Sequence, residues 1–283
     1  MASVRATFAD LIMNDAQVDA PRVRDAFAKV PRERFLGPGP WLLMSRIGYV
    51  ELPADQPSSL YQNRGVALDA DEGINNGEPT LHAICLAGVA PLAGERVVHV
   101  GAGTGYYTAI LAELVGPEGV VEAFEINPEL ANKAVVYLKP WPQTHMHIRS
   151  ALDETLAESD VIYASAGLDH PPERWLHALS LGGRLVMPLT PTDKWGAMLM
   201  VTRRSQGFDA TFLCRAGFID CVGGKTAEGD PALKRAFASS RWREVRSLHL
   251  GEPGEDETVW YAGKGWWLSV RSLAERSDQA NRP

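Results

Sequence analysis

The chain changes its hydrophobic rhythm near residue 80. Before that point, residues 5–30 carry Leu11, Ile12, Val18, Val23, Phe27 and Val30 at helical spacing, which predicts helices facing a core. Pro21 should open the second helix, because a first turn does not use the N–H that proline lacks. Residues 30–35 (Val-Pro-Arg-Glu-Arg-Phe) then break into extended chain, their charges read as a solvated helix end. Residues 37–71 are irregular and rich in Pro and Gly, with Trp41, Tyr49 and Tyr61 interspersed, and predict loop and short strand. Residues 71–79 are turn chemistry throughout. Residues 80–88 return to helical spacing, with Leu81, Ile84, Cys85 and Leu86 on one side.

From residue 96 onward, short apolar runs alternate with helical ones. Strands are predicted at 96–100, 119–125, 145–149, 160–166 and 184–189, with helices at 106–114, 127–138 and 172–179 between them. Leu130, Ala134, Val135 and Leu138 are expected to face inward, and Gly182-Gly183 to stop the helix before them. Runs at 197–202 and 210–214 suggest closing strands at a sheet edge. This order predicts a doubly wound, Rossmann-like α/β fold with a mostly parallel sheet and right-handed connections. Residues 226–283 differ in character, with a helix at 231–237, strands at 245–250 and 258–270, and a polar tail from 277. Trp260, Tyr261, Trp266 and Trp267 give this α+β extension an aromatic face suited to packing on the core or to a homodimer contact. The expected division is N-terminal helices and an active-site loop region over 1–79, a ligand-binding core over 80–225 and an extension over 226–283.

The 283 residues are 45% hydrophobic and 22% charged, with a formal net charge of −7. Such a balance belongs to an ordinary soluble protein and argues against a grip on nucleic-acid phosphates. Cys85, Cys214 and Cys221 are odd in number and lack zinc spacing, so they read as buried free thiols in a reducing compartment. The first ten residues lack the apolar core of a signal peptide, and the longest apolar run, residues 83–92, is too short for a bilayer. A cytoplasmic protein without membrane attachment is expected. His145 and His147 have no Cys or carboxylate at ligand spacing and read as a solvent-facing pair on a strand, with no metal.

Candidate chemistry gathers at residues 97–105, Val-Val-His-Val-Gly-Ala-Gly-Thr-Gly. A buried strand runs into a turn containing Gly101, Gly103 and Gly105, a helix follows, and a second strand ends on Glu125. Glycines let a ligand approach the backbone, and the helix start offers unpaired N–H groups. Dinucleotide turns read G-x-G-x-x-G, whereas here the third residue after Gly105 is Thr108. The tighter G-x-G-x-G turn resembles the first motif of S-adenosyl-L-methionine (SAM)-dependent methyltransferases. That resemblance implies SAM as cofactor, with Glu125 placed as the acid that holds the ribose hydroxyls. The small residues Ala164, Ser165 and Ala166 leave room for a ligand at the end of a further strand.

Other stretches extend the resemblance over residues 5–222. Residues 30–35 are similar to the V-P-R-E-x-F of protein-L-isoaspartate O-methyltransferases, residues 99–106 to their E-x-G-x-G-x-G-Y and residues 181–188 to their L-x-x-G-G-R-L-V-x-P. The resemblance implies the class I SAM-methyltransferase fold, with cofactor contacts at Gly77, Gly101, Ala102, Gly103, Thr104, Gly105, Tyr106, Glu125, Ile126, Ser150 and Ala151. Acceptor contacts are implied at Asn75, Asn76, Glu78 and Ser165. The chain also departs from the family. Where members carry G-x-G-Q-T-I-S-x-P, Asn75 stands for the threonine and Gly77 for the serine; Ser150-Ala151 replaces an Asp-Gly, and His99 an acid.

The implied activity is methyl transfer to a carboxylate of a peptide, a protein or a modified natural product. A carboxylate is already ionised near neutral pH and needs no general base. One alternative is a small-molecule O-, N- or C-methyltransferase with a reshaped loop, for which His170 beside Asp169 is the candidate base. Another is a non-catalytic SAM-binding adaptor. Asn75 and His170 are thus the catalytic candidates. With two hydroxyls missing and Glu78 adding negative charge, isoaspartyl peptides are expected to be poor substrates, improved by Asn75→Thr with Gly77→Ser.

Overall fold

The N-terminal periodicity becomes two helices, α1 (Ala2–Ala16) and α2 (Pro21–Lys29), with Pro21 in the first turn of the second. Phe8, Ala9, Ile12 and Met13 form the buried stripe of α1, and Val23, Ala26 and Phe27 that of α2. Leu11, expected inside, is exposed, because its neighbour Ile12 takes the core position and adjacent helical residues point about 100° apart. The computed structural model describes residues 1–191, 195–226 and 230–275. They form two compact units, 1–151 and 152–283.

In the first unit, Arg32–Phe35 is a 3-10 turn and not the extended chain expected. A hairpin of β1 (Trp41–Ser45) and β2 (Gly48–Leu52) follows, then β3 (Ala67–Asp69) paired antiparallel with the short β4 (Ile74–Asn75). Helix α3 (Pro79–Val89) buries Ala83, Cys85, Leu86 and Val89, while Leu81 and Ile84 stay half-buried. Next come β5 (Arg96–Val100), α4 (Tyr106–Val115), β6 (Val120–Phe124), α5 (Pro128–Tyr137) and β7 (Thr144–His147). Leu130, Ala134 and Leu138 face inward as expected, but Val135 is exposed. The strands β5, β6 and β7 are parallel, with Val100 level with Phe124 and Phe124 level with His147. That shared register makes the turns after all three strands leave the sheet at one edge, the place where open parallel sheets hold ligands.

The second unit contains β8 (Ser159–Ala164), α6 (Glu173–Ala178), β9 (Leu179–Leu189), β10 (Trp195–Arg204), β11 (Gly207–Gly217), α7 (Pro231–Ala238), β12 (Ser247–Leu250), β13 (Val259–Gly263) and β14 (Trp266–Ser269). Its strands lie in the order β13-β14-β12-β11-β10-β9-β8. Only β8 and β9 pair in parallel here; the rest are antiparallel. The fold is therefore mixed where a mostly parallel sheet was expected, because tight connections such as residues 205–206 permit only antiparallel neighbours. Gly182-Gly183 does not stop α6. The strand begins at Leu179, and its register jumps from Ser159–Leu179 to Val161–Arg184, so the glycines sit in a bulge with Gly182 at φ +83°.

The aromatic residues of the extension follow the first of the two expectations, packing into a core. Tyr261, Trp266 and Trp267 are buried, and Trp260 packs on Phe212 and Phe237 at ring-centroid distances of 5.4 and 5.1 Å. They contribute to the core of their own unit. The polar tail at 277–283 lies outside the described residues. All three cysteines are unbridged thiols, Cys85 buried and Cys214 and Cys221 half-buried. Among the described residues, no helix is long and apolar enough to cross a membrane.

Phe35 joins the N-terminal turn to the first unit's core. It is wholly buried, with Tyr106, Tyr137 and Trp141 ringed around it at 5.7, 6.2 and 5.9 Å. Phe35→Ala is expected to cost about 3–5 kcal/mol of unfolding free energy, the usual result of emptying an aromatic site. Urea unfolding followed by tryptophan fluorescence measures it, and a loss under about 1 kcal/mol contradicts the packing described.

Candidate functional site

The glycine turn is built by backbone groups before any ligand is considered. Gly101 and Ala102 donate their N–H groups to the Phe124 carbonyl at 2.9 and 3.0 Å, which folds the turn over the end of β6. Gly101, Gly103 and Gly105 have φ of +75°, +56° and +95°, a region that side-chain-bearing residues rarely adopt. At Gly103 a Cβ would also lie 2.9 Å from Leu68 Cδ1. Thr104 is buried, and its hydroxyl donates to the Phe35 carbonyl at 2.6 Å. Tyr106 begins α4 and is buried as well.

Glu125 closes the other side of the turn. Its Oε2 accepts the Gly103 N–H at 2.7 Å and its Oε1 the Asn127 N–H at 2.9 Å. A carboxylate has about four lone-pair directions, so each oxygen keeps one for a further donor. That capacity matches a vicinal diol. Ile126 is exposed, Ser150 half-buried and Ala151 buried, and all three follow the carboxyl ends of β6 and β7. The turn, Glu125 and these three residues belong to the first unit.

The loop ahead of α3 is held by a residue whose charge run, read as sequence, belongs in solvent. Arg32 is fully buried. Its Nη1 donates to the carbonyls of Leu60 and Gln62 at 2.7 and 2.8 Å, and its Nη2 to the Arg64 carbonyl at 2.5 Å and Asn76 Oδ1 at 3.3 Å. Asn76 Oδ1 also accepts the Val66 N–H at 2.8 Å. Tyr61 accepts the Arg32 N–H at 3.1 Å and donates to Glu33. Among the described residues, no carboxylate lies within ion-pair distance of Arg32. The one sequence signal for this arrangement is the Val-Pro-Arg-Glu run itself.

Within the loop, Asn75 Oδ1 accepts the Gly77 N–H at 2.9 Å, and its Nδ2 has no partner among the described residues. Glu78 is exposed, and its Oε1 accepts from Asn63 Nδ2 at 2.8 Å. Its charge lies on the surface, where solvent and salt screen its repulsion of an anionic acceptor. Gly77 has φ +76°, and a Cβ there would overlap the imidazole of His82. This geometry argues against the expectation that Gly77→Ser, paired with Asn75→Thr, improves the loop.

Two histidines lie beneath the loop and turn. His82 stacks on Tyr107, centroids 3.6 Å apart, and His99 Nδ1 is 2.8 Å from Thr108 Oγ1. Burial pushes His82 down to about 3, helped by nearby His99 and the Arg32 charge, and burial alone pushes His99 down to about 3. Burial likewise raises the Tyr106 and Tyr107 phenols above their ordinary value. These four groups are thus neutral near pH 7, and a histidine this weakly basic cannot take a proton from a hydroxyl there.

Further along β7, His145 is exposed as expected, but His147 is half-buried, 2.7 Å from Glu122 Oε2 and stacked on Phe124 at 4.6 Å. In the second unit, Ser165 is half-buried just after β8. His170 Nδ1 is 2.6 Å from Asp169 Oδ1, while Asp169 Oδ2 accepts from the Thr226 N–H and hydroxyl at 2.7 and 2.8 Å. Burial works to raise the Asp169 carboxyl, but the hydrogen bonds from His170 and Thr226 outweigh it and hold it below the usual range.

The buried histidines set a pH dependence. Their pKa values are about 3 when folded and about 6.5 when unfolded. Below about pH 6.5 the unfolded chain therefore binds more protons, and stability falls with pH at roughly 1.4 kcal/mol per unit per histidine until the folded state titrates. Urea titrations at pH 7, 6 and 5 should show this loss, and His99→Gln should remove about half of it. A flat profile between pH 6 and 5 contradicts the burial of neutral imidazoles.

Comparison with known proteins gives a family match. The profile described as Protein-L-isoaspartate(D-aspartate) O-methyltransferase (PCMT) matches residues 5–225. A protein-L-isoaspartate O-methyltransferase of Ignicoccus hospitalis is 26% identical over 220 residues, covering 75% of this chain and 96% of that protein. A solved protein-L-isoaspartate O-methyltransferase superposes with a TM-score of 0.63 at 17% identity, over 98% of this chain and 93% of that one. A second, from Plasmodium falciparum in complex with S-adenosyl-L-homocysteine, gives 0.59 at 16% identity, over 76% and 97%. The chain belongs to the protein-L-isoaspartate (D-aspartate) O-methyltransferase family and has its Rossmann-like class I methyltransferase fold.

Proposed function

We propose that the protein is a SAM-dependent methyltransferase whose acceptor is a carboxylate of a peptide, a protein or a modified natural product. Arg32 carries this reading. A guanidinium buried among neutral carbonyls, with no carboxylate paired to it among the described residues, leaves a positive potential under the loop that favours an anion over an amine. Asn75 Nδ2 adds a donor without a partner there, held in orientation by the bond from Gly77. The hydroxyls that the family offers at this loop are replaced by that amide and by main chain.

The cofactor assignment rests on the fit of the turn. Glu125 would take both ribose hydroxyls with its remaining lone pairs, and Gly101, Gly103 and Gly105 would let the cofactor lie against backbone. Ser150 and Ala151 stand where the family holds adenine. When bound, SAM supplies a sulfonium methyl group open to in-line displacement, for which alignment of the acceptor is the main lever. The chain's own task is to orient an ionised oxygen and exclude water. It needs to move no proton, which agrees with the neutral histidines and phenols around the turn.

A second reading, a hydroxyl or amine acceptor, is favoured by one observation. The carboxylate of Asp169 orients the His170 ring as it would orient a base. Under that reading His170→Gln abolishes transfer to such acceptors and leaves carboxylate methylation unchanged.

Labelled methyl transfer to an isoaspartyl peptide, carboxylate metabolites and hydroxyl or amine metabolites tests the proposal. Base-labile label on a carboxylate supports it, and stable label confined to hydroxyl or amine acceptors refutes it. Glu125→Ala is expected to weaken SAM binding by about 2–3 kcal/mol, tens- to hundred-fold. Gly103→Val should prevent binding, because it adds a branched side chain where φ is positive and Leu68 is close. Calorimetry on folded variants decides both, and unchanged affinity for either removes the turn from the cofactor site.

A further inference from the structure

Position 77 is closed to side chains for two separate reasons. Its φ of +76° lies in the left-handed region, and a Cβ there would overlap His82 Nε2 with Cδ2 only 3.0 Å away. The imidazole cannot easily yield. His82 is 2% exposed and belongs to α3, its N–H donating to the Glu78 carbonyl at 3.3 Å. Its ring lies flat on Tyr107, 15° from parallel, and Tyr107 sits in the first turn of α4, directly after the glycine turn. One ring thus touches both the acceptor loop and the helix that starts at the proposed cofactor site.

We propose that His82 is the positioning residue of the 74–78 loop: its imidazole fills the room a side chain at 77 would need and fixes the loop against Tyr107. At position 77 the loop then meets an acceptor with main chain, beside the Asn75 amide. Its effect on substrate choice rests on the carboxylate-methylation reading; its effect on loop position does not.

A double-mutant cycle separates the two reasons at position 77. Gly77→Ala and His82→Ala are made singly and together, and the folding constant is measured by urea unfolding. Backbone strain at 77 is present with either residue at 82 and cancels, so the cycle isolates the contact with the ring. Gly77→Ala is expected to reduce the folding constant at least fivefold more in the wild-type background than in the His82→Ala background. Equal losses overturn the proposal.

A kinetic arm uses whichever carboxylate the wild type methylates, with an isoaspartyl hexapeptide tried first. His82→Ala should raise KM for it at least fivefold while kcat and the affinity for S-adenosyl-L-homocysteine change less than twofold. His82→Phe, which keeps a flat ring on Tyr107, should restore KM. An unchanged KM in His82→Ala overturns the positioning role. A chain that methylates no carboxylate yet retains the coupling overturns the proposed acceptor and leaves His82 as the loop's support.

Discussion

A buried cation with no carboxylate paired to it among the described residues governs the first unit. Removing a guanidinium from water costs several kcal/mol, and Arg32 offsets that cost by drawing the carbonyls of Leu60, Gln62 and Arg64 and the Asn76 side chain onto one group. Those acceptors span residues 60–76, so a single residue after α2 dictates the path of a loop that has little regular structure of its own. Phe35, three residues on, fixes the other end of the arrangement by packing on Tyr106 and accepting the Thr104 hydroxyl. The N-terminal helices therefore do more than cover the core; they deliver the residues that shape the loop and brace the glycine turn.

The same exclusion of water explains the chemistry under the turn. His82, His99, Tyr106 and Tyr107 are polar groups in a dry place, and each is held in its neutral form by desolvation. An apolar residue would fill the volume with less risk, but a ring with a polar edge can pack on Tyr107 or reach Thr108. Where the family carries an acid in the cofactor strand, His99 keeps a hydrogen-bonding group without a buried negative charge.

Legibility in the sequence follows the range of the interactions involved. The strand, glycine turn, helix and acid around residues 96–125 are local and readable from period and spacing, as are the strands within 195–217, although these lie inside the order β12-β11-β10-β9 and not at the edge expected. Arg32 reads as solvated because charge runs usually lie in water, and nothing local announces acceptors almost thirty residues away. Gly77 looks like a lost hydroxyl until His82, five residues later and on another element, is seen in its space. Gly182-Gly183 suggests a helix stop because a bulge and a stop use the same residues. For the aromatic residues 260–267 the sequence leaves core packing and a homodimer contact open, because it does not reveal that β12 pairs with β14.

The Asp169 carboxylate bears on how separable the end of the chain is. The family match stops at residue 225, and Asp169 binds the main chain and hydroxyl of Thr226. A chain cut at the family boundary would strand a buried acid with His170 as its remaining partner among those described. Thr226, the first residue past the match, is joined to Asp169 by two hydrogen bonds, so a cut made at residue 225 removes a partner of a buried side chain.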